Sequence, residues 1–330
     1  MEIDQLSSIL EVPMLNTQKT QVLDCTIRDG GLVNNWDFSI DFVRDLYHYL
    51  NTAGVDVMEI GYKNSPKLVS TEGVGPWRFL DDHFLKEVIP NKQQTKLSAI
   101  VDIGRVDEND MLPCTESHLD MIRIACYLKD IDKAIKLNNT FKALGYETSV
   151  NIMAVSNAME HDLSEALVKL NESSVDIAYI VDSYGSLYPR DIAYLVDKFS
   201  LQCPNKKLGI HAHNNLQLAY ANTLTAIEKG IQYLDCSVYG MGRAAGNCPT
   251  ELILGYLKDP QYEVKPVYEG IEKLMIPLRK KVEWGYIIPY TITGQLNEHP
   301  RSAMALRHSE NKDRYKDFYD QLTTVETTLD

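Results

Sequence analysis

No run of about 18 apolar residues occurs in the 330-residue chain, so a membrane-spanning helix is not expected. The opening stretch, MEIDQLSSILEVPML, has no basic start leading into an apolar segment, and no secretory leader is expected there. Basic charge is in deficit: 33 Lys and Arg stand against 46 Asp and Glu, a net charge of -13. A surface of that sign does not neutralise phosphates in bulk, which argues against nucleic acid or an anionic membrane as the main partner. The six cysteines, Cys25, Cys114, Cys126, Cys203, Cys236 and Cys248, include no CxxC pair and no metal-finger spacing. Cys25, Cys126 and Cys236 lie in apolar, strand-like runs, where a thiol serves as a small buried hydrophobe. A reduced, cytoplasmic protein without structural disulfides is the expectation. Low-complexity tracts are missing too.

What is present is alternation. With 44% apolar residues the chain can bury a large core, and short β-branched runs alternate with longer amphipathic ones. Strands are expected at 21–26, 55–60, 96–101, 119–125, 148–153, 176–181, 207–213 and 233–238. Helices are expected at 39–53, 130–144, 163–170 and 216–229, after Pro189 and near Pro249. Ser39 suits a helix N-cap, and Gly54, Gly145 and Gly230 suit the left-handed turn that ends a helix. Eight such units match an α/β fold of the (β/α)8 TIM barrel type. The alternative is an open doubly wound sheet, but its GxGxxG after the first strand is missing. The reading is a catalytic barrel over residues 1–258 and a short, mainly helical C-terminal extension over 259–330, serving as a lid or subunit contact. Within the extension, EGIEKLMIPLRKKVEWG and residues 311–322 have helical periodicity, and the basic cluster at 279–281 reads as a solvated face.

In a barrel, chemistry sits where strands run into the following loops. Polar residues gather there: Arg28 and Asp29 after strand one, Glu59 in strand two, Asp102 after strand three and Arg123 in strand four. Strand six ends at Asp182 and Ser183, strand seven at His211-Ala212-His213, and strand eight at Ser237 and Tyr239. Residues i and i+2 of a strand project to one side, so both imidazoles face the same space. Two neutral imidazoles and a carboxylate, Asp29, form a common site for a divalent ion with open positions. A pair of structural histidines is the bland alternative to HxH, and a salt-bridged surface turn is the alternative for Arg28 and Asp29. YGMGRAAGN (239–247) reads as a tight loop with close backbone approach to a ligand, as a phosphate loop, or as a plain turn.

The segments LDCTIRDGG (23–31), VMEIGY (57–62), VDSYGSLYP (181–189), IHAHNNLQLAYAN (210–222) and YGMGRAAGN together resemble the DRE-TIM metallolyase superfamily. Its members include isopropylmalate and homocitrate synthases, hydroxymethylglutaryl-CoA lyase and 4-hydroxy-2-oxovalerate aldolase. The resemblance implies Asp29, His211 and His213 as metal ligands, with Asn247 closing the glycine loop beside the metal. It implies Arg28 as the stabiliser of an enolate and Glu59 as a carboxylate supporting acid–base chemistry. Ser183 stands where many members carry threonine, and its hydroxyl would hydrogen-bond the substrate. The expected ion is Mn2+, with Mg2+, Co2+ or Zn2+ as alternatives.

The length and short tail resemble the oxovalerate aldolase branch. That implies a metal-dependent aldolase that cleaves or forms a 4-hydroxy-2-oxo acid through a pyruvate enolate. The alternative is a Claisen-type acyltransferase condensing acetyl-CoA with a 2-oxo acid; a non-enzymatic barrel is the third reading. The partners implied are a small-molecule 2-oxo acid, further copies of the chain in a homo-oligomer, and an aldehyde dehydrogenase. Two departures stand out. Leu32 occupies the place of the aldolase's base, three residues after the metal aspartate, and Cys248 follows Asn247 where the lyase keeps a cysteine before it. The proton-transfer group is thus open among Tyr62, Tyr239, Tyr290 and His299, each with packing as its plain alternative. The segment GLVNNWDFS places Asn34, Asn35 and Trp36 either against the non-pyruvate half of a substrate or in an ordinary turn. Asn35 and Tyr239 are accordingly expected, with Ser183, among the substrate contacts.

Overall fold

The computed structural model describes residues 19–324, so the expectation for MEIDQLSSILEVPML lies outside the described residues. Eight parallel strands close into one barrel in chain order. They are β1 Gln21–Asp24, β2 Val57–Tyr62, β3 Lys96–Asp102, β4 Met121–Cys126, β5 Glu147–Ile152, β6 Ile177–Asp182, β7 Lys207–Ala212 and β8 Tyr233–Cys236. The barrel reading holds and the open sheet is excluded, because β8 pairs directly with β1. The helices of the barrel are α1 Thr26–Asn34, α2 Ile40–Thr52, α3 Asp82–Val88, α4 Ile131–Ala143, α5 Glu160–Glu172, α6 Pro189–Gln202, α7 Ala219–Glu228 and α8 Thr250–Leu257. The link from β3 to β4 carries only a 3-10 turn, Glu108–Asp110, in a stretch broken by Gly104 and Pro113.

The local signals for helix ends are borne out. Ser39 Oγ accepts the Phe42 N–H at 3.2 Å, and Gly54, Gly145 and Gly230 all adopt positive φ. Strand one is shorter than expected. Asp24 accepts the Thr26 N–H and the Thr250 hydroxyl, and the chain turns there into α1. Arg28 and Asp29 therefore ride on the first turns of a helix rather than on a strand end. Gly31 permits this path, since a Cβ there would sit 2.0 Å from Trp36 Cδ1. Trp36 folds under α1 and donates from Nε1 to the Arg28 carbonyl at 3.1 Å.

Apolar residues fill two spaces. Leu23, Val57, Met121, Ile177 and Tyr179 pack inside the barrel, and the larger core lies between strands and helices. All six cysteines are free thiols, and Cys25, Cys126 and Cys236 are buried as expected. Among the described residues no helix is long and apolar enough to cross a membrane.

Beyond α8 the chain forms α9 Lys265–Gly270, α10 Ile276–Arg279, α11 Ile288–Gln295, α12 Arg301–Arg307 and α13 Tyr315–Thr323. Tyr290, Ile292, Ala303 and Phe318 of this region pack on Ala244 and Ala245, in the loop after β8. Asn297 accepts the Ser186 hydroxyl and donates to the Ser156 carbonyl, so the helical region also touches the loops after β5 and β6. Arg279, Lys280 and Lys281 are all exposed as expected, and the Arg279 guanidinium lies over the rings of Tyr239 and Trp284, at 4.9 and 5.4 Å.

Candidate metal centre

The site forms where α1, the end of β7 and the loop after β8 converge. His211 is the penultimate residue of β7, and His213 follows the strand, bridged antiparallel to Asn247. The two rings stand 4.9 Å apart, nearly perpendicular. Asp29 approaches from the N-terminal turn of α1, where free N–H groups favour a carboxylate. One ligand atom from each of Asp29, His211 and His213 falls within 4.8 Å of the others, and all three residues are buried.

The hydrogen bonds suit this triad to a cation. His211 Nδ1 lies 2.9 Å from Asp235 Oδ2, which fixes that nitrogen as the donor and leaves Nε2 with its lone pair. That Nε2 is buried without a partner among the described residues. His213 Nδ1 faces the Gly246 carbonyl at 3.3 Å, leaving its Nε2 as the acceptor. Asn247 Nδ2 donates to Asp29 Oδ2 at 2.9 Å, and its Oδ1 is buried and unpaired among the described residues. Asn247 therefore first holds the aspartate; Oδ1 is the atom it has left for an ion. Gly242 brings the loop backbone in, since a Cβ there would stand 2.5 Å from Asp29 Oδ2. Two imidazole nitrogens, a carboxylate and an orphaned amide oxygen are a fitting donor set for a divalent ion.

A file of alternating charges backs the triad. Arg28 donates from Nη1 to Asp29 at 2.5 Å and from Nε to Glu59 Oε2 at 2.6 Å, leaving Nη2 without a protein partner among the described residues. Glu59 Oε2 also lies 3.2 Å from Arg123 Nη1. Arg123 Nη2 donates to Asp235 Oδ2 at 2.6 Å, and Asp235 holds His211. Arg123 is fully buried, its guanidinium 4.3 Å from the centre of the Tyr179 ring.

Burial pushes the Asp29 carboxyl up, yet the Arg28 guanidinium, helped by Arg243, outweighs it and holds it well below the usual carboxylate range. Burial, reinforced by Arg243, drives His213 down, so its imidazole is neutral. Asp235 is likewise held low: burial raises it, and Arg123 and His211 more than reverse that. The charged Asp29 carboxylate and the neutral His213 imidazole are the forms that bind metal.

The other expected contacts divide. Ser183 is buried, but its Oγ accepts the Ala154 N–H at 2.9 Å. Asn35 is exposed at the left-handed C-cap of α1, where its carbonyl accepts the Gly75 N–H. Tyr239 packs edge-on against Trp284 under Arg279, and Tyr290 is buried against Arg307. Tyr62 lies in the field of Arg28, Asp29 and Glu59, and burial pushes its phenol well above the usual range. Leu32 packs against the core. Neither Asp235 nor Arg243 is singled out by the sequence, and Arg123 is singled out there without a role. The available signal was a charged residue inside an apolar strand run, MIRIAC and YLDC, where only a buried partner makes charge tolerable.

Fold and site thus define a (β/α)8 barrel with a two-histidine, one-carboxylate cluster at the mouth. The chain belongs to the HMGL-like family, whose model matches residues 19–269. That membership bears out the DRE-TIM resemblance. A 4-hydroxy-2-oxovalerate aldolase from Thermomicrobium roseum is 30% identical over 267 residues, covering 78% of this chain and 73% of that protein. An oxaloacetate decarboxylase from Mycobacterium tuberculosis is 29% identical over 240 residues, 72% of this chain and 69% of that protein. Among solved structures, the N-terminal domain of a candidate aldolase from Bacteroides vulgatus superposes with a TM-score of 0.73 at 30% identity, covering 88% of this chain and 98% of that one.

Proposed function

We propose that the protein is a divalent-metal-dependent carbon–carbon lyase that cleaves or forms a 4-hydroxy-2-oxo acid through a pyruvate enolate. The observation that carries this reading is the buried triad of Asp29, His211 and His213 with the unpartnered Nη2 of Arg28 beside it. A bound ion, Mn2+ first among the candidates, would supply Lewis-acid polarisation of a 2-oxo acid carbonyl. Arg28 contributes a fixed positive charge where the enolate oxygen gains negative charge, and Glu59 and Asp29 hold its guanidinium in place. Glu59 acts through Arg28, while Asp235 and Arg123 keep His211 in its ligating tautomer. Tyr62, kept protonated by burial, is the candidate proton donor. The helical region after α8 closes over the mouth as a lid, and its exposed Tyr286, Ile288 and Tyr319 suit a contact in a homo-oligomer. A cytoplasmic location and an aldehyde dehydrogenase partner belong to the same reading, by likeness to the aldolase branch.

The test is hydrogen exchange. Pyruvate incubated with the protein and Mn2+ in heavy water should lose its methyl proton signal, and a chelator should stop the loss. Absence of exchange overturns the reading; thiol release from acetyl-CoA on adding a 2-oxo acid would point to Claisen condensation instead.

A further inference from the structure

Three arginines meet at the mouth of the barrel, and carboxylates neutralise two of them. Arg28 is paired with Asp29 and Glu59, and Arg123 with Glu59 and Asp235. Arg243 differs. Its guanidinium has no carboxylate within ion-pair distance among the described residues: Nη2 donates to the Ser183 carbonyl at 2.6 Å and lies 3.3 Å from His213 Nε2. Its Nε is buried with no partner among the described residues. The residue is not adrift, because its backbone N–H donates to Asp29 Oδ2 at 3.0 Å and ties it to the triad. A partly buried guanidinium with open donors is costly until an anion meets it.

Its surroundings offer further donors. Ser183, which holds Arg243, is followed by Tyr184, whose ring meets the His299 ring edge-on at 5.7 Å. His299 Nδ1 accepts the Arg301 N–H at 3.1 Å, so the remaining ring nitrogen carries a proton to donate. Burial, then Arg243 and Arg301, push His299 down to about 4, which keeps the ring neutral.

Charge sets the ligand class. In the hydrogen-bonded network, Asp29, Glu59 and Asp235 balance Arg28, Arg123 and Arg243, and ligating imidazoles are neutral. A divalent ion therefore leaves two positive charges uncompensated. The head of a 2-oxo acid brings one negative charge. We infer that Arg243, with His299 and Tyr184 at the rim, forms a subsite for a second carboxylate at the far end of the substrate, making the preferred substrate a dianionic 2-oxo acid. The inference rests on the reading above that a 2-oxo acid head sits at the triad.

Calorimetric binding to the Mn2+-saturated protein tests it without turnover. Two matched pairs serve as probes: 2-oxoglutarate against 2-oxovalerate, and 2-oxoadipate against 2-oxohexanoate. In each pair the acids share a chain length and differ in the terminal carboxylate. In at least one pair the dianion should bind tenfold or more tightly. Arg243→Met should erase that preference, and Arg243→Lys should keep part of it. Mn2+ affinity is measured first, so that the ratio is read at saturating metal, and circular dichroism checks the fold. Equal binding within both pairs, a preference that survives Arg243→Met, or no binding of any probe overturns the subsite. Failure of the aldolase reading looks different: the wild type would prefer the dianion yet leave the methyl hydrogens of pyruvate unexchanged.

Discussion

At the N-terminal end of the barrel, side chains bind backbone. Asp56 Oδ2 accepts the Val22 N–H, Asp120 Oδ2 the Leu97 N–H, Asp176 Oδ2 the Thr148 N–H and Gln232 Oε1 the Leu208 N–H, at 2.7–2.9 Å. Each residue immediately precedes an even-numbered strand and clamps the start of the odd-numbered strand before it. Water reaches these groups: the Asp120 and Asp176 side chains are about 30% exposed, and Lys92 and Lys142 pair with them. At the C-terminal end, carboxylates bind guanidinium and imidazole instead, and Asp29, Glu59 and Asp235 are almost wholly buried. The lower clamps need no chemistry to explain them, since a half-solvated carboxylate accepting backbone N–H groups stabilises at little desolvation cost. The upper network strips charge of water, and an apolar core of the same shape would fold at least as well. Its arrangement is intelligible as preorganisation for a charged ligand.

The largest effect that would break this contrast concerns Arg28. Arg28→Ala should lower the rate of pyruvate exchange by about 10³-fold or more, while Mn2+ affinity changes by less than about tenfold. Unimpaired exchange would remove Arg28 from the chemistry. Next is Arg123→Met, which leaves Glu59 and Asp235 buried without their shared cation. Breaking a buried ion network from one side costs about 3–5 kcal/mol, read by urea unfolding. A loss under about 1 kcal/mol would mean that water already solvates the barrel interior. At the other end, Asp176→Ala removes the acceptor of Thr148 and the partner of Lys142. It should cost about 1–2 kcal/mol and leave Mn2+ affinity unchanged. Altered Mn2+ affinity in that variant would show that the two ends are coupled.

The contrast also accounts for what could be read in advance. Strand and helix order was legible, because period-2 and period-3.6 patterns with Gly54, Gly145 and Gly230 at helix ends are local signals. His211 and His213 were legible for the same reason: their spacing on a strand fixes their side. Strand one was misjudged at its end because Asp24 halts it through Thr250, 226 residues away. Asp235 was not legible as the partner of His211, since that contact joins β7 to β8 across 24 residues, and the second partner of Asp235, Arg123, comes from β4. Asn35 was legible only as part of the segment after Asp29, and its place as the left-handed C-cap of α1 shows only once that helix is formed. The lower clamps went unread because an Asp before a strand is indistinguishable from a turn residue until its neighbour strand is in place.

Asp182 combines both behaviours. It lies at the C-terminal end, fully buried, yet binds backbone as the lower clamps do, its two oxygens accepting the Ser186 and Leu187 N–H groups at 3.0 and 3.2 Å. Burial pushes its carboxyl up to about 7, against the pull of those hydrogen bonds. An unfolded aspartate ionises near pH 4, at about 3.9. Between pH 4 and 7 the folded state therefore holds a proton that the unfolded state has released. The stability this group contributes is complete below about pH 4 and is lost as pH rises through 7, with a slope of at most about 1.4 kcal/mol per pH unit. Asp182→Asn is neutral throughout and keeps an acceptor oxygen. Relative to wild type it should gain stability steadily in urea unfolding from pH 5 to pH 7 and level off above. Parallel profiles for the two proteins would show that Asp182 ionises in the folded protein as it does in the unfolded chain, and that burial of the chain at this point does not separate the two ends.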